Sequence, residues 1–269
     1  ASDVYKRQIA RVASPIEGKV GIVVGGGSGH LPAFAGYVGQ GMADGAAFGN
    51  VFASPPARPV VEATTAVDSG AGVLYLYGNY AGDVLNFDLG AELSEDEDID
   101  VRTVLIWDDV CSAPPTEKDK RRGIAGLVPI VKLAGAASQR AKSLDELEAA
   151  AHKAVLQTRS VGVSMSPGSI PATGKPTFEI AEDQIGLGMG IHGEPGVGEI
   201  PMTTADELTP KMLDLIIKDF DEDDEVEAPA SGDDVLVFIN SLGATTMMEC
   251  LIVLRKVKAV LTEKGINVY

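Results

Sequence analysis

Short β-branched, apolar runs alternate along the chain with stretches whose apolar residues recur at helical spacing. Residues 19–24, 72–77 and 101–107 predict strands, and residues 55–68, 125–139 and 144–158 predict helices. Ser143 followed by Glu146 predicts a capping box at the start of the 144–158 helix. His152 falls inside that helix as an ordinary solvated or packed residue. From 161 to 201 glycine and proline break the rhythm, leaving strands only at 177–180 and 185–189. After them the pattern predicts an amphipathic helix at 205–218, a buried strand at 234–240 and a helix at 244–264. The alternation predicts an α/β fold, with a larger domain over 9–160 and a second over 161–269.

Two acidic runs interrupt this pattern. Residues 219–227 carry seven carboxylates in nine positions, which predicts a solvated loop, and 92–100 reads the same way. A calcium loop fits 219–227 poorly, because the glycine at its sixth position is missing. The first eight residues have no apolar period and look like the translated end of a sequencing-library transposon, so they are set aside from fold reasoning. A strand so soon after them, and a new strand opening at 265–269, lead to the expectation that the chain is cut short at both ends.

Composition narrows the function. Of 269 residues 45% are hydrophobic, enough for a sizeable core, and the formal charge of −17 opposes attraction to nucleic-acid phosphate or an anionic membrane. No apolar run reaches bilayer length and no signal pattern opens the chain, so a cytoplasmic protein is expected. Cys111 and Cys250 have no metal-ligand spacing and read as reduced structural thiols.

Three glycine-rich boxes carry the candidate chemistry, each following a predicted strand. In Gly25-Gly26-Gly27-Ser28-Gly29-His30 the glycines suit backbone N–H groups aimed at an anion or oxygen. No Gly-Lys-Ser/Thr follows, and His30 stands where a dinucleotide fingerprint has its third glycine, so a ligand-free tight turn stays open. The second box, Gly78-Asn79-Tyr80-Ala81-Gly82-Asp83, presents a carboxylate that suits either a general base or a cap for the following helix. In the third, residues 188–196, His192 is flanked by glycines and a proline turn that offer little to pack on. Two of the three histidines thus lie in these boxes. A metal on His192 would need further ligands such as Asp83 or Glu194, no helical His-Glu pair supports one, and no metal is expected.

At these boxes the chain resembles the substrate-binding subunit of the dihydroxyacetone kinases, the DhaK or Dak1 family. The resemblance spans roughly 13–269 and rests on 25–30, Gly36-Tyr37-Val38-Gly39-Gln40-Gly41-Met42, Asn79–Asp83 with Asn86-Phe87, Arg121-Arg122-Gly123 and 190–196; residues 240–245 also match the family's second-domain strand-to-helix turn. It implies two α/β domains around mixed sheets and a homodimer. It implies that His192 attacks a ketone carbon to give a hemiaminal, that Asp83 takes the proton of the substrate hydroxyl, and that His30 polarises the reacting groups. Gly27 and Ser28 would lie against the substrate oxygens. Gly78 would line the same pocket, in place of a lysine common in the family, and His30-Leu31-Pro32 departs from the usual His-Glu-Pro. Loss of that lysine would remove a cation and leave space for a four-carbon ketose such as erythrulose beside or instead of dihydroxyacetone. No cofactor is expected on this chain: ATP or ADP with magnesium would sit on a separate DhaL or Dak2-type domain, or the phosphoryl group would come from a phosphohistidine protein. A ketone-sensing regulator of the same family is the second reading, and a generic phosphate-binding α/β protein the third.

Overall fold

The computed structural model describes residues 7–269, so readings made for residues 1–6 lie outside the described residues. Gln8, set aside with them, belongs to the fold. It opens β1 (Gln8–Ala10), and the Arg7 carbonyl accepts a bond from the Phe48 amide at 2.6 Å. The chain divides into two compact units, one running to Asp108 and resuming over Arg122–Thr158, the other made of Asp109–Arg121 and Arg159–Tyr269. The expected domain change at 160/161 thus falls two residues earlier, after Thr158, and differs also over 109–121, a segment held in the second unit by the ion pairs described below.

In the first unit a five-stranded sheet has the order β1-β3-β2-β4-β5, with β2 (Gly21–Ser28), β3 (Gly45–Val51), β4 (Val73–Gly78) and β5 (Val101–Ile106) parallel and β1 antiparallel to β3. Helices cover both faces, which is why β2 and β4 read as unbroken apolar runs rather than alternating ones. Ile22, Val24, Leu74 and Leu76 pack towards α3 (Leu127–Ala137) and α4 (Leu144–Leu156). Val23, Val73, Tyr75 and Tyr77 pack towards α1 (Ala57–Val67) and α2 (Ala81–Glu95). Only half of the expected capping box forms at α4: the Ser143 hydroxyl accepts from the Glu146 amide, but the Glu146 carboxylate accepts from Lys142. His152 is a mostly exposed residue of that helix.

The second unit has a three-stranded antiparallel sheet, β6 (Val163–Ser164), β7 (Gln184–Leu187) and β8 (Gly198–Pro201). After it come α5 (Ala205–Asp221), β9 (Asp234–Val235), α6 (Met247–Glu263) and β10 (Asn267–Val268), β9 and β10 being parallel. The expected strand at 177–180 does not form, because the Thr177 amide turns back onto Gly168 and closes a loop. Nor is 234–240 a buried strand. Val235, Val237 and Ile239 line a small core under α6, while Leu236 and Phe238 alternate outward, 63% and 46% exposed.

The acidic run 219–227 departs furthest from its expected solvated state. Asp219 and Asp223 are 5% and 6% exposed. Asp219 receives a two-pronged contact from Arg121 and a 2.6 Å contact from Arg159. Asp223 receives Arg159 at 2.5 Å and Lys118 at 2.6 Å. Arg159 also lies over the Phe220 ring, 4.6 Å from its centroid. Burial would push Asp223 up, but bonds from Lys118 and the Glu225 amide, with the Lys118 and Arg159 charges, hold it below the usual carboxylate range. Among the described residues no helix is long and apolar enough to cross a membrane.

Candidate functional site

The first glycine box is strand, not turn, as far as Ser28: β2 runs through it, with a register shift against β3 between Gly26 and Ser28. Its glycines serve close backbone approach. A Cβ on Gly27 would lie 2.6 Å from the Ala53 nitrogen, so only glycine lets the strand end meet the 52–54 segment. His30 follows, half-buried, its Nδ1 2.8 Å from the Gly27 carbonyl and its ring 4.9 Å from that of Phe52. Phe52 has φ of 55°, a costly left-handed conformation for an aromatic residue. The Ser28 hydroxyl donates to the Gly49 carbonyl at 2.7 Å.

Gly78 closes β4, the parallel neighbour of β2, so both boxes reach the carboxyl edge of one sheet, where open α/β sheets keep their crevices. Asp83 follows in the first turn of α2. It is not the cap; Tyr80 holds that position with no side-chain capping bond. Asp83 is half-buried, and one turn on Asn86 donates to the Ser54 hydroxyl at 3.1 Å. Gly78 leaves less room than expected: a Cβ there would stand 3.2 Å from Tyr80, 3.3 Å from the Gly123 carbonyl and 3.4 Å from Leu127. Gly78 therefore opens no gap beside the backbone.

His192 lies in the second unit, on the loop joining antiparallel β7 and β8, so its box is a hairpin loop rather than a parallel-sheet crevice. Gly188 has φ of 70°, and a Cβ on it would come 2.3 Å from that of Cys111; glycine is required on both counts. The turn closes through bonds from the Gly193 amide to the Gly190 carbonyl and from the Gly190 amide to the Glu194 carbonyl, each at 3.0 Å. This folds the Glu194 carboxylate back onto His192. One oxygen is 2.7 Å from Nδ1 and the other accepts the His192 backbone N–H at 2.9 Å. The two side chains are 26% and 30% exposed, within reach of a small ligand.

Burial would raise the Glu194 pKa, but bonds from the His192 ring and from the backbone N–H groups of Glu194 and His192, with the His192 charge, bring it from the usual 4.5 to about 2. The folded value is the lower one. The stabilisation from this carboxylate is therefore complete above the ordinary glutamate range and is lost as the pH falls towards 2. A carboxyl ¹³C titration is expected to find Glu194 still ionised at about pH 4, where exposed glutamates are half protonated; an ordinary midpoint would contradict the pairing.

The sequence-predicted residues thus form two groups. Gly27, Ser28, His30, Gly78 and Asp83 share the carboxyl edge of the first unit's sheet, and His192 belongs to the second unit. Two further residues stand out. Phe52 buttresses the His30 ring, and no sequence signal marks it; Glu194, considered in the sequence only as a metal ligand, is the partner of His192.

The Dak1 domain matches residues 2–269. The chain belongs to the Dak1 family. It is 44% identical over 264 residues to the dihydroxyacetone-binding subunit DhaK of the PTS-dependent dihydroxyacetone kinase 2 of Listeria innocua, covering 98% of this chain and 77% of that one. It is 41% identical to an L-erythrulose kinase of Pectobacterium atrosepticum, over 97% of this chain and 44% of the relative. Among solved structures, the dihydroxyacetone kinase from C. freundii in complex with AMP-PNP and Mg2+ superimposes with a TM-score of 0.83 at 31% identity, over 96% of this chain and 46% of that one. This Dak1 chain therefore spans about three-quarters of the first relative and under half of the other two proteins.

Proposed function

We infer that this Dak1 chain is the substrate-binding and catalytic part of a ketose kinase, with dihydroxyacetone as the substrate and dihydroxyacetone phosphate as the product. The observation that carries this reading is the β7–β8 loop, which holds a half-buried imidazole by its Nδ1 edge among glycines rather than packing it. A ring nitrogen of His192 adds to the ketone carbon. The carbon–nitrogen bond forms, the carbonyl π pair moves to oxygen, the oxygen takes up one proton and the ring gives one up, leaving a neutral hemiaminal. A polyol such as glycerol has no carbonyl and is not captured. The tether fixes the terminal hydroxyl for transfer. Asp83 accepts that hydroxyl's proton as its oxygen bonds to phosphorus and the bond from phosphorus to the donor breaks, while His30 polarises the reacting groups and Gly27 and Ser28 border the substrate oxygens. The phosphoryl group comes from a separate nucleotide-binding domain of DhaL or Dak2 type carrying ATP or ADP with magnesium, and the chain works as a homodimer.

The test is the intact mass of the protein under non-denaturing conditions, with and without dihydroxyacetone. A gain of one ketose that disappears in folded His192→Ala is expected. No gain in the folded wild type would overturn covalent capture.

Erythrulose as the preferred ketose is a second reading, favoured by the relative from Pectobacterium and by the uncharged Gly78. The crowding around Gly78 means that charge, not added room, would have to account for it. With the partner domain supplied, erythrulose should then be phosphorylated at least as well as dihydroxyacetone. A preference for dihydroxyacetone of about tenfold or more, within the range that one extra carbon commands, would exclude it.

A further inference from the structure

We propose that Glu194 is the positioning residue for His192, holding its ring as the Nδ1–H tautomer so that Nε2 presents the lone pair that attacks the ketone. The proposal rests on the reading of His192 as the carbonyl-capturing nucleophile and adds which residue sets the tautomer and orientation of its ring.

The argument is one of donors and acceptors. An ionised carboxylate only accepts hydrogen bonds. One Glu194 oxygen takes the His192 backbone N–H at 2.9 Å, which fixes the carboxylate relative to the ring's own main chain. The other stands 2.7 Å from Nδ1, so Nδ1 must be the protonated nitrogen. In a neutral imidazole the second nitrogen then carries the lone pair. A free imidazole side chain leans towards the opposite tautomer, with its proton on Nε2, and that form has no lone pair on the nitrogen furthest from the backbone.

Glu194 also follows the charge of the step. As the bond from Nε2 to the ketone carbon forms, the ring becomes an imidazolium whose positive charge sits beside the Glu194 carboxylate. The carbonyl oxygen takes one proton from water, and Nδ1 releases one to water past Glu194, so no proton is gained or lost overall. The arrangement resembles a carboxylate orienting a catalytic histidine in hydrolases, with a carbon–nitrogen bond taking the place of proton transfer. Neither of these two contacts involves a bound ketose, so the ring is set before substrate arrives.

The test uses this chain as wild type, Glu194→Gln and Glu194→Ala, with ¹⁵N-labelled histidine. In the ligand-free wild type, His192 Nδ1 is expected to resonate as a protonated nitrogen and Nε2 as a bare one; in Glu194→Ala the two signals move towards the opposite tautomer. Capture of dihydroxyacetone, followed by intact mass over time, should slow on the order of 10²-fold in Glu194→Ala, as for a misplaced reacting group. Glu194→Gln keeps an oxygen for Nδ1 but lacks the charge, and falls between the two. A protonated Nε2 in the wild type overturns the proposal, and that readout needs no variant to fold. Wild-type capture rates in folded Glu194→Ala overturn it as well. A wild type that captures no ketose overturns the reading of His192 itself, a result distinct from either.

Discussion

Asp83→Asn is expected to leave ketose capture at His192 intact while lowering phosphoryl transfer by on the order of 10²–10⁴-fold, the range that a general base contributes. The substitution keeps the size and shape of the side chain and removes its ability to take a proton. Asp83 lies in the first turn of α2, where a negative charge near the helix N-terminus contributes about 0.3–1 kcal/mol, and a denaturant midpoint measured on the variant separates any loss of fold from a loss in the chemical step. The comparison is made with the partner domain present, reading turnover by phosphorylated ketose and capture by intact mass on the same sample. Transfer lost with capture retained assigns Asp83 to the chemical step. Equal turnover in Asp83→Asn and wild type would remove Asp83 from the mechanism, and loss of capture would recast it as a binding residue.

What the sequence displayed of this fold follows from how each element is covered. β2 and β4 announced themselves because both faces of the sheet lie under helices, and their residues are apolar almost throughout, while β5, at the sheet edge, was marked by Val101, Val104, Leu105 and Ile106 despite Arg102 and Thr103. β3 was not foreseen: Gly45-Ala46-Ala47-Phe48-Gly49-Asn50-Val51 is a strand whose small residues let neighbouring backbone and helix α1 approach. The extent of α2 was hidden for a different reason. Phe87, Gly90 and Ser94 face inward while Leu85, Leu89 and Leu93 face outward, so no clean apolar stripe marks the buried side. For the site, a histidine among glycines is visible in a linear sequence because the box leaves it nothing to pack on. The bond between His192 and Glu194 is not visible, since it depends on the turn that reverses the chain between them.

The least legible feature gives the second large effect: Asp219→Ala is expected to destabilise the second unit by roughly 3–5 kcal/mol, as when one partner of a buried ion pair is removed. In sequence, Asp219 is one of seven carboxylates that should repel one another into solvent. The cations that reverse this expectation are Arg159 and Arg121, 60 and 98 residues away, and Lys118, 105 residues from Asp223. Both guanidinium groups are wholly buried. Removing Asp219 leaves Arg121 without its two-pronged acceptor and Arg159 with Asp223 as its remaining carboxylate in this network, and the cost of a buried charge does not vanish with its partner. Asp221 and Glu222, exposed members of the same run, provide the control, since their replacement by alanine should stay within about 0.5 kcal/mol. Denaturant unfolding, with amide exchange along α5 as the local probe, separates the cases. Matching midpoints for Asp219→Ala and Asp221→Ala would mean that the network is only a surface arrangement of charge. A large gap would mean that these carboxylates hold segment 109–121 in the second unit, whose His192 loop places Gly188 against Cys111 of that same segment.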